Sequence, residues 1–169
     1  NGRVNNVTPL TNGNYVVLSS YVTFGNGTTG TSGIISSANS LVGSGTSNGF
    51  YLASITALTN GNYVVHAPSA IVDGFIGAVT FCNGTTGLIG QISESNSLIG
   101  AGSYGQYDAI TPLTNGNYVI KTSSGGIATF ANGTTGIVGR ISLLNSLIAN
   151  SGGGLEFKIT ALTDRKSVV

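Results

Sequence analysis

Few side chains in this sequence could carry out acid–base or nucleophilic chemistry. The chain has one histidine, His66, and one cysteine among its 169 residues. A catalytic histidine needs an orienting carboxylate and a nucleophile within reach, and Asp73 and Ser69 are the nearest candidates in sequence. Because related segments of the chain carry leucine and lysine at the position of His66, we expect it to be an ordinary surface or loop-edge residue.

The single cysteine, Cys82, lies where two related segments carry Gly25 and Ala131. A free cysteine packs as a small apolar residue, and a position that otherwise holds glycine or alanine favours that role. One cysteine cannot form an intrachain disulfide, and one cysteine with one histidine cannot supply the ligands of a zinc site. We therefore predict that Cys82 is buried and that the chain carries no metal or other cofactor.

The acidic residues do not indicate an enzyme. Glycoside hydrolysis requires two carboxylates about 5–10 Å apart, and calcium loops require several acidic residues within a few positions. The acidic residues are instead scattered along the chain: Asp73, Glu94, Asp108, Glu156 and Asp164. We predict that the protein has no catalytic residues.

The composition favours an uncharged, exposed protein. Only 7% of the residues are charged, against about 25% in typical globular proteins, and the net charge is +1. No basic stripe is present, which argues against nucleic acid and anionic membranes as partners. Hydrophobic residues make up 40% of the chain, so it can fold, yet no apolar run is long enough to span a membrane. We predict an extracellular or cell-surface location.

The dominant feature is a three-fold internal repeat. Leu-Thr-Asn-Gly-Asn-Tyr-Val, Asn-Gly-Thr-Thr-Gly and Asn-Ser-Leu each occur three times in the same order. We divide the single repeat domain 1–169 into copies at about 7–54, 55–109 and 110–158, with a partial fourth copy at 159–169.

Each copy is expected to form β-structure. Asn-Gly between apolar runs is a strong hairpin signal, because both residues tolerate positive φ. Asp73 and Phe75 fall in an insertion at 66–77, which we interpret as a loop. In the second copy we expect strands at 55–59, 63–66, 79–81 and 88–93, followed by a short turn at 95–99.

A single four-stranded sheet cannot bury both faces, so the copies must stack. We therefore predict an all-β fold with three four-stranded antiparallel β-propeller-like blades, stacked as a repeat array. The alternatives are a β-trefoil, on repeat number alone, or a β-solenoid. Three blades are too few to close a propeller ring.

Two sets of residues match across the copies. The matched tyrosines follow the hairpin turn, so we expect them to pack in the core or between copies: Tyr15, Tyr63 and Tyr118. The matched asparagines fit the N-glycosylation acceptor pattern, but we interpret them as turn residues: Asn26, Asn83 and Asn132.

The repeated phrases resemble those found in long arrays within very large bacterial surface proteins of the filamentous-haemagglutinin type. The resemblance extends over 7–158 and rests on Leu-Thr-Asn-Gly-Asn-Tyr-Val-Val, Asn-Gly-Thr-Thr-Gly and Asn-Ser-Leu. It implies a secreted, adhesin-like or matrix protein with propeller-type blades and no catalytic residues. The chain departs from the pattern at 164–169, where the fourth copy breaks off.

We predict a structural or adhesive repeat module that assembles through blade edges into a ring, an array or a fibre. Its partners would be copies of itself or neighbouring repeats of a longer chain. The unpaired fourth-copy strand is the expected assembly element: Ile159, Ala161, Leu162, Val168 and Val169.

The alternative function is a lectin that binds surface glycans. Exposed aromatic rings beside amides are typical of sugar sites. The candidate sugar-binding residues are Tyr104, Gln106 and Tyr107. Asp73 and Phe75 are candidate contacts of a partner-specific loop formed by the insertion.

Overall fold

The computed structural model describes residues 4, 6–45, 50, 52–100, 109–122, 126–148 and 160. Within these residues the protein is all-β, with fourteen strands and no helix. The strands form three mostly antiparallel sheets, one for each copy of the repeat. No sheet closes into a barrel within this part of the chain, so the β-trefoil alternative finds no support here.

The first sheet begins with a three-stranded meander. Its strands are β1 (Asn6–Pro9), β2 (Tyr15–Leu18), β3 (Val22–Gly25) and the short β4 (Leu41–Val42), paired antiparallel in that order. The turn between β1 and β2 closes where Leu10 N donates to Asn14 O at 2.8 Å. Gly13 in this turn has a φ of 88°, a conformation that favours glycine.

The second sheet repeats this plan with longer central strands. Its strands are β5 (Ser54–Ala57), β6 (Tyr63–Val72), β7 (Phe75–Cys82) and β9 (Ser97–Ile99). β8 (Gly90–Gln91) lies between β7 and β9 in sequence, but it pairs in parallel with β4 of the first sheet.

The third sheet has the same order. Its strands are β10 (Ala109–Pro112), β11 (Tyr118–Thr122), β12 (Ile127–Ala131) and β14 (Leu147–Ile148). The intervening β13 (Gly139–Arg140) pairs in parallel with β9 of the second sheet. The second and third copies therefore each contribute one strand to the sheet of the preceding copy.

The predicted first hairpin and third strand of the second copy are confirmed. Two other predictions are wrong. The segment 88–93, predicted as the fourth strand, supplies only the two-residue β8, which joins the sheet of the first copy. The fourth strand is β9, which lies where we expected a turn. The insertion at 66–77 is not a loop either, because β6 and β7 extend through it and are joined at Asp73 and Gly74.

Two hydrophobic cores lie between the copies, because side chains alternate between the two faces of each strand. Tyr63, Val65 and Cys82 of the second sheet share a core with buried residues of the first sheet. Val64 and Val79, on the opposite face, share a core with Tyr118 and other residues of the third sheet. The sheets are therefore stacked face to face, and the middle sheet is covered on both sides.

Candidate assembly interface

The predicted ligand residues lie at one hairpin tip or outside the described part of the chain. Asp73 occupies the tip between β6 and β7, with a φ of 49°, and is exposed. Phe75 is exposed beside it, and the guanidinium of Arg140 lies 4.3 Å from the centre of its ring. Tyr104, Gln106 and Tyr107 lie outside the described residues, as do the predicted assembly residues Ile159, Ala161, Leu162, Val168 and Val169.

His66 and Cys82 are both buried. The prediction of a surface or loop-edge position for His66 is wrong: it is 5% exposed within β6, because the strand is covered on both faces. The prediction for Cys82 is confirmed, since its side chain is buried in the core shared by the first and second sheets. Burial raises the pKa of Cys82 to about 12, so the thiol is neutral and unreactive at neutral pH.

The matched turns form a ladder of hydrogen bonds from one copy to the next. Asn12 and Asn14 of the first copy donate through Nδ2 to Gly84 O of the second copy, at 2.7 and 2.8 Å. Asn60 and Asn62 of the second copy donate in the same way to Gly133 O of the third, at 2.7 and 2.8 Å. At each junction, two side-chain amides thus donate to the same backbone carbonyl of the neighbouring sheet.

Two threonines reinforce this ladder. Thr11 Oγ1 donates to Leu58 O at 3.2 Å, and Thr59 Oγ1 donates to Leu113 O at 3.2 Å. Equivalent side chains of successive copies therefore make equivalent contacts at both junctions. A contact that is repeated with this fidelity is a property of the repeat unit itself.

The amide oxygens of the same asparagines shape the turn within each copy. Asn60 Oδ1 accepts a hydrogen bond from Asn62 N at 3.2 Å. Asn62 Oδ1 accepts one from Gly84 N at 2.9 Å. Only glycine fits at position 84, because a Cβ there would lie 1.6 Å from Gly61 O. The turn chemistry thus fixes the amides in the orientation that the neighbouring copy requires.

A phenylalanine packs on a bare glycine backbone at each junction. A Cβ added to Gly87 would lie 2.5 Å from Phe24 Cβ, and one added to Gly136 would lie 2.5 Å from Phe81 Cβ. Close packing of this kind excludes larger residues. At the equivalent Gly30 of the first copy, nothing lies within 4 Å of the added Cβ.

An ion pair also joins the second and third copies. Arg140 Nη2 lies 3.1 Å from Glu94 Oε2, and both side chains are nearly half exposed. An exposed pair of this kind contributes little to stability. The junction therefore depends on apolar packing and neutral hydrogen bonds.

The matched asparagines of the second motif are turn residues, as predicted. Asn83 Oδ1 accepts hydrogen bonds from Thr85 N and Thr86 N at 2.8 and 3.1 Å. Asn26 and Asn132 make the equivalent bonds.

No sheet of the described residues covers the outer side of the first sheet. Tyr15 and Val17 are partly exposed there, whereas the matching Tyr63 and Val65 are buried. A half-open groove of about 140 Å³ lies along this side and is lined in part by Tyr15, Val17 and Ile35. We call this surface the N-terminal face; it consists of Gly13, Tyr15, Val17, Gly27, Gly30 and Ile35.

The outer side of the third sheet is the opposite end of the described stack, where no described sheet covers it. Phe130 is 56% exposed and Leu147 is 79% exposed, whereas the matching Leu98 is fully buried. Nδ2 of Asn115 and of Asn117 has no acceptor among the described residues, although both amide oxygens accept turn hydrogen bonds. We call this surface the C-terminal face; it consists of Asn115, Asn117, Val119, Phe130 and Leu147.

Sequence reasoning found the residues of the interface but not their function. The matched Asn-Gly motifs were identified as turns, and the bonds from Nδ2 to the next copy were missed. Repetition of Asn14 and Asn62, which are not required by hairpin geometry alone, was the available signal.

The family comparison matches the repeat organisation. A family model described as a repeat of unknown function (DUF5650) matches residues 9–50, 57–108 and 112–153. The chain belongs to this family, because the matches cover well over half of it. The match carries no link to filamentous-haemagglutinin-type proteins. No curated protein and no solved structure matches the chain.

The part of the chain that the structure describes has no helix able to cross a membrane. Across the same residues, no cluster of three or more His, Cys, Asp or Glu side chains could hold a metal ion.

Proposed function

We propose that this chain is a structural repeat module of an extracellular bacterial surface protein, in which blade-like sheets stack into an extended array. The junction between copies carries the proposal. It is made twice by the same asparagine, threonine and phenylalanine positions, so that further copies can be added by the same contacts.

The composition supports a role outside the cell. A surface of Asn, Ser, Thr and Gly with 7% charged residues remains hydrated, and its contacts depend little on salt. The junctions between copies also consist mainly of neutral groups, so changes in ionic strength would leave the array intact.

Labelling of intact cells tests the location. Antibodies raised against the chain are applied to cells that naturally produce it, before and after permeabilisation. We expect equal labelling in both conditions. Labelling that requires permeabilisation would contradict an extracellular role.

Force spectroscopy tests the structural role. A stack of independent junctions is expected to lengthen in a few discrete steps, one or more for each copy. A single cooperative rupture of the whole chain would contradict an array of repeated junctions.

A further inference from the structure

The two outer faces of the described stack are complementary. The N-terminal face presents Gly27 and Gly30, the counterparts of Gly84 and Gly87, which receive the first copy's amides and phenylalanine at the internal junction. The C-terminal face presents Asn115, Asn117 and Phe130, the counterparts of the donating residues. Each end therefore holds one half of the internal junction.

We propose that the C-terminal face of one chain docks on the N-terminal face of a second copy, reproducing the internal junction. This head-to-tail contact deepens the proposed function and depends on its premise that copies stack through one repeated junction. In the contact, Asn115 and Asn117 donate to Gly27 O, and Phe130 packs on the bare backbone of Gly30. Because the two faces differ, the contact is heterologous and repeats along a fibre or closes into a ring.

The exposure of the two ends supports a second copy as the occupant. Gly27 is exposed, whereas the matching Gly84 and Gly133 are buried beneath the amides of the preceding copy. Phe130 is 56% exposed, so its ring is accessible to a second copy.

Two differences make the contact between chains weaker than the internal junctions. Thr31 and Ser32 stand on the first copy where Leu88 and Ile89 stand on the second, so less apolar surface is available. Lys121 stands on the C-terminal side where His66 is buried in the second copy, and its ammonium must reach the rim of the contact. We expect a dissociation constant that is roughly micromolar or weaker.

Sedimentation velocity on the wild-type chain and two face variants tests the proposal. Phe130→Asp places a carboxylate on the C-terminal face, and Val17→Asp places one on the N-terminal face. We expect the wild-type chain to form larger species as its concentration rises, in low and high salt alike. Each variant alone should remain a monomer, because it retains only one intact face.

The mixture of the two variants is the decisive sample. The intact N-terminal face of the Phe130→Asp chain can bind the intact C-terminal face of the Val17→Asp chain. We expect a one-to-one dimer that grows no further. Ser37→Glu is the matched control, because it adds the same charge at an exposed turn where the second copy already has Glu94. This variant should associate like the wild-type chain.

Several results would overturn the proposal. The proposal is wrong if the wild-type chain stays monomeric up to its solubility limit. It is also wrong if either face variant alone still associates, or if the mixture of the two variants forms no dimer. Circular dichroism checks folding, and Gly30→Ala replaces Val17→Asp if the latter does not fold. Failure of the chains to associate would overturn the head-to-tail contact and leave the proposed structural role standing. That role requires only that copies stack, and the neighbouring copies could belong to the same polypeptide.

Discussion

Conversion of Asn60 to aspartate tests whether the amide ladder stabilises the stack. Asn60→Asp keeps the oxygen that accepts from Asn62 N, so the turn within the copy is preserved. It removes the Nδ2 donor that lies 2.7 Å from Gly133 O and directs a negative oxygen at that carbonyl. Asn115→Asp is the matched control, because Asn115 makes the same turn bond to Asn117 N and donates to no described residue of a following copy.

The magnitude follows from these contacts. Loss of one intramolecular hydrogen bond costs about 0.5–1.5 kcal/mol, and repulsion between the carboxylate and the carbonyl adds to this. Because Asn60 is exposed, solvent relieves some of the repulsion, and we expect the free energy of unfolding to fall by about 1–3 kcal/mol in total. The Asn115→Asp variant should lose less than about 0.5 kcal/mol.

Urea unfolding at pH 7, followed by far-ultraviolet circular dichroism at low protein concentration, measures the difference. A loss of this size moves the unfolding midpoint of Asn60→Asp down by about 1 M urea, while that of Asn115→Asp stays near the wild-type value. Equal losses in the two variants would refute the reasoning, because the amide would then act only within its own turn.

Three further predictions concern packing, titration and charge. In urea unfolding, Gly136→Ala should lower the free energy of unfolding by about 1–3 kcal/mol more than Gly30→Ala does. Both glycines have a φ of 73°, but only the Cβ added at position 136 meets Phe81. Equal losses in the two variants would contradict the phenylalanine–glycine contact. The unfolded chain loses the thiol proton near pH 9 while burial keeps it bound to Cys82 in the native state, so the free energy of unfolding should fall as pH rises from about 9 towards about 12. The fall should be smaller in Cys82→Ala, and an unchanged pH profile in that variant would show that the thiol does not contribute. Glu94→Gln should change the free energy of unfolding by less than about 1 kcal/mol at low and high salt, as measured by urea unfolding, because the Arg140 pair is nearly half exposed; a larger, salt-dependent loss would show that the ion pair is a principal junction contact.

The features that could be predicted from sequence are those determined locally. The turn between β5 and β6 could be predicted because Asn-Gly tolerates positive φ, and its glycine adopts such a φ. The burial of Cys82 could be predicted because the other copies carry small residues at its position. The count of three copies follows from their repeated phrases. These properties depend on residues close together in the chain.

The features that could not be predicted depend on partners distant in sequence. β8 has two residues and no apolar pattern, so nothing local shows that it pairs with β4 of another copy. His66 is polar and was expected at the surface, but it is buried because neighbouring sheets cover both faces of β6. The extension of β6 and β7 carried a usable signal in Asp73-Gly74, a hairpin dipeptide that was interpreted as part of a loop.

Insertion of one more middle copy tests the stacked architecture most directly. A second copy of residues 55–109 is placed after residue 109, and small-angle X-ray scattering compares the maximum dimension with that of the original chain. If the sheets stack face to face through one repeated junction, the lengthened chain should fold and its maximum dimension should grow by about 10 Å, the spacing of packed sheets. A lengthened chain that keeps the original dimension, or whose added copy scatters as an unfolded segment, would contradict the account.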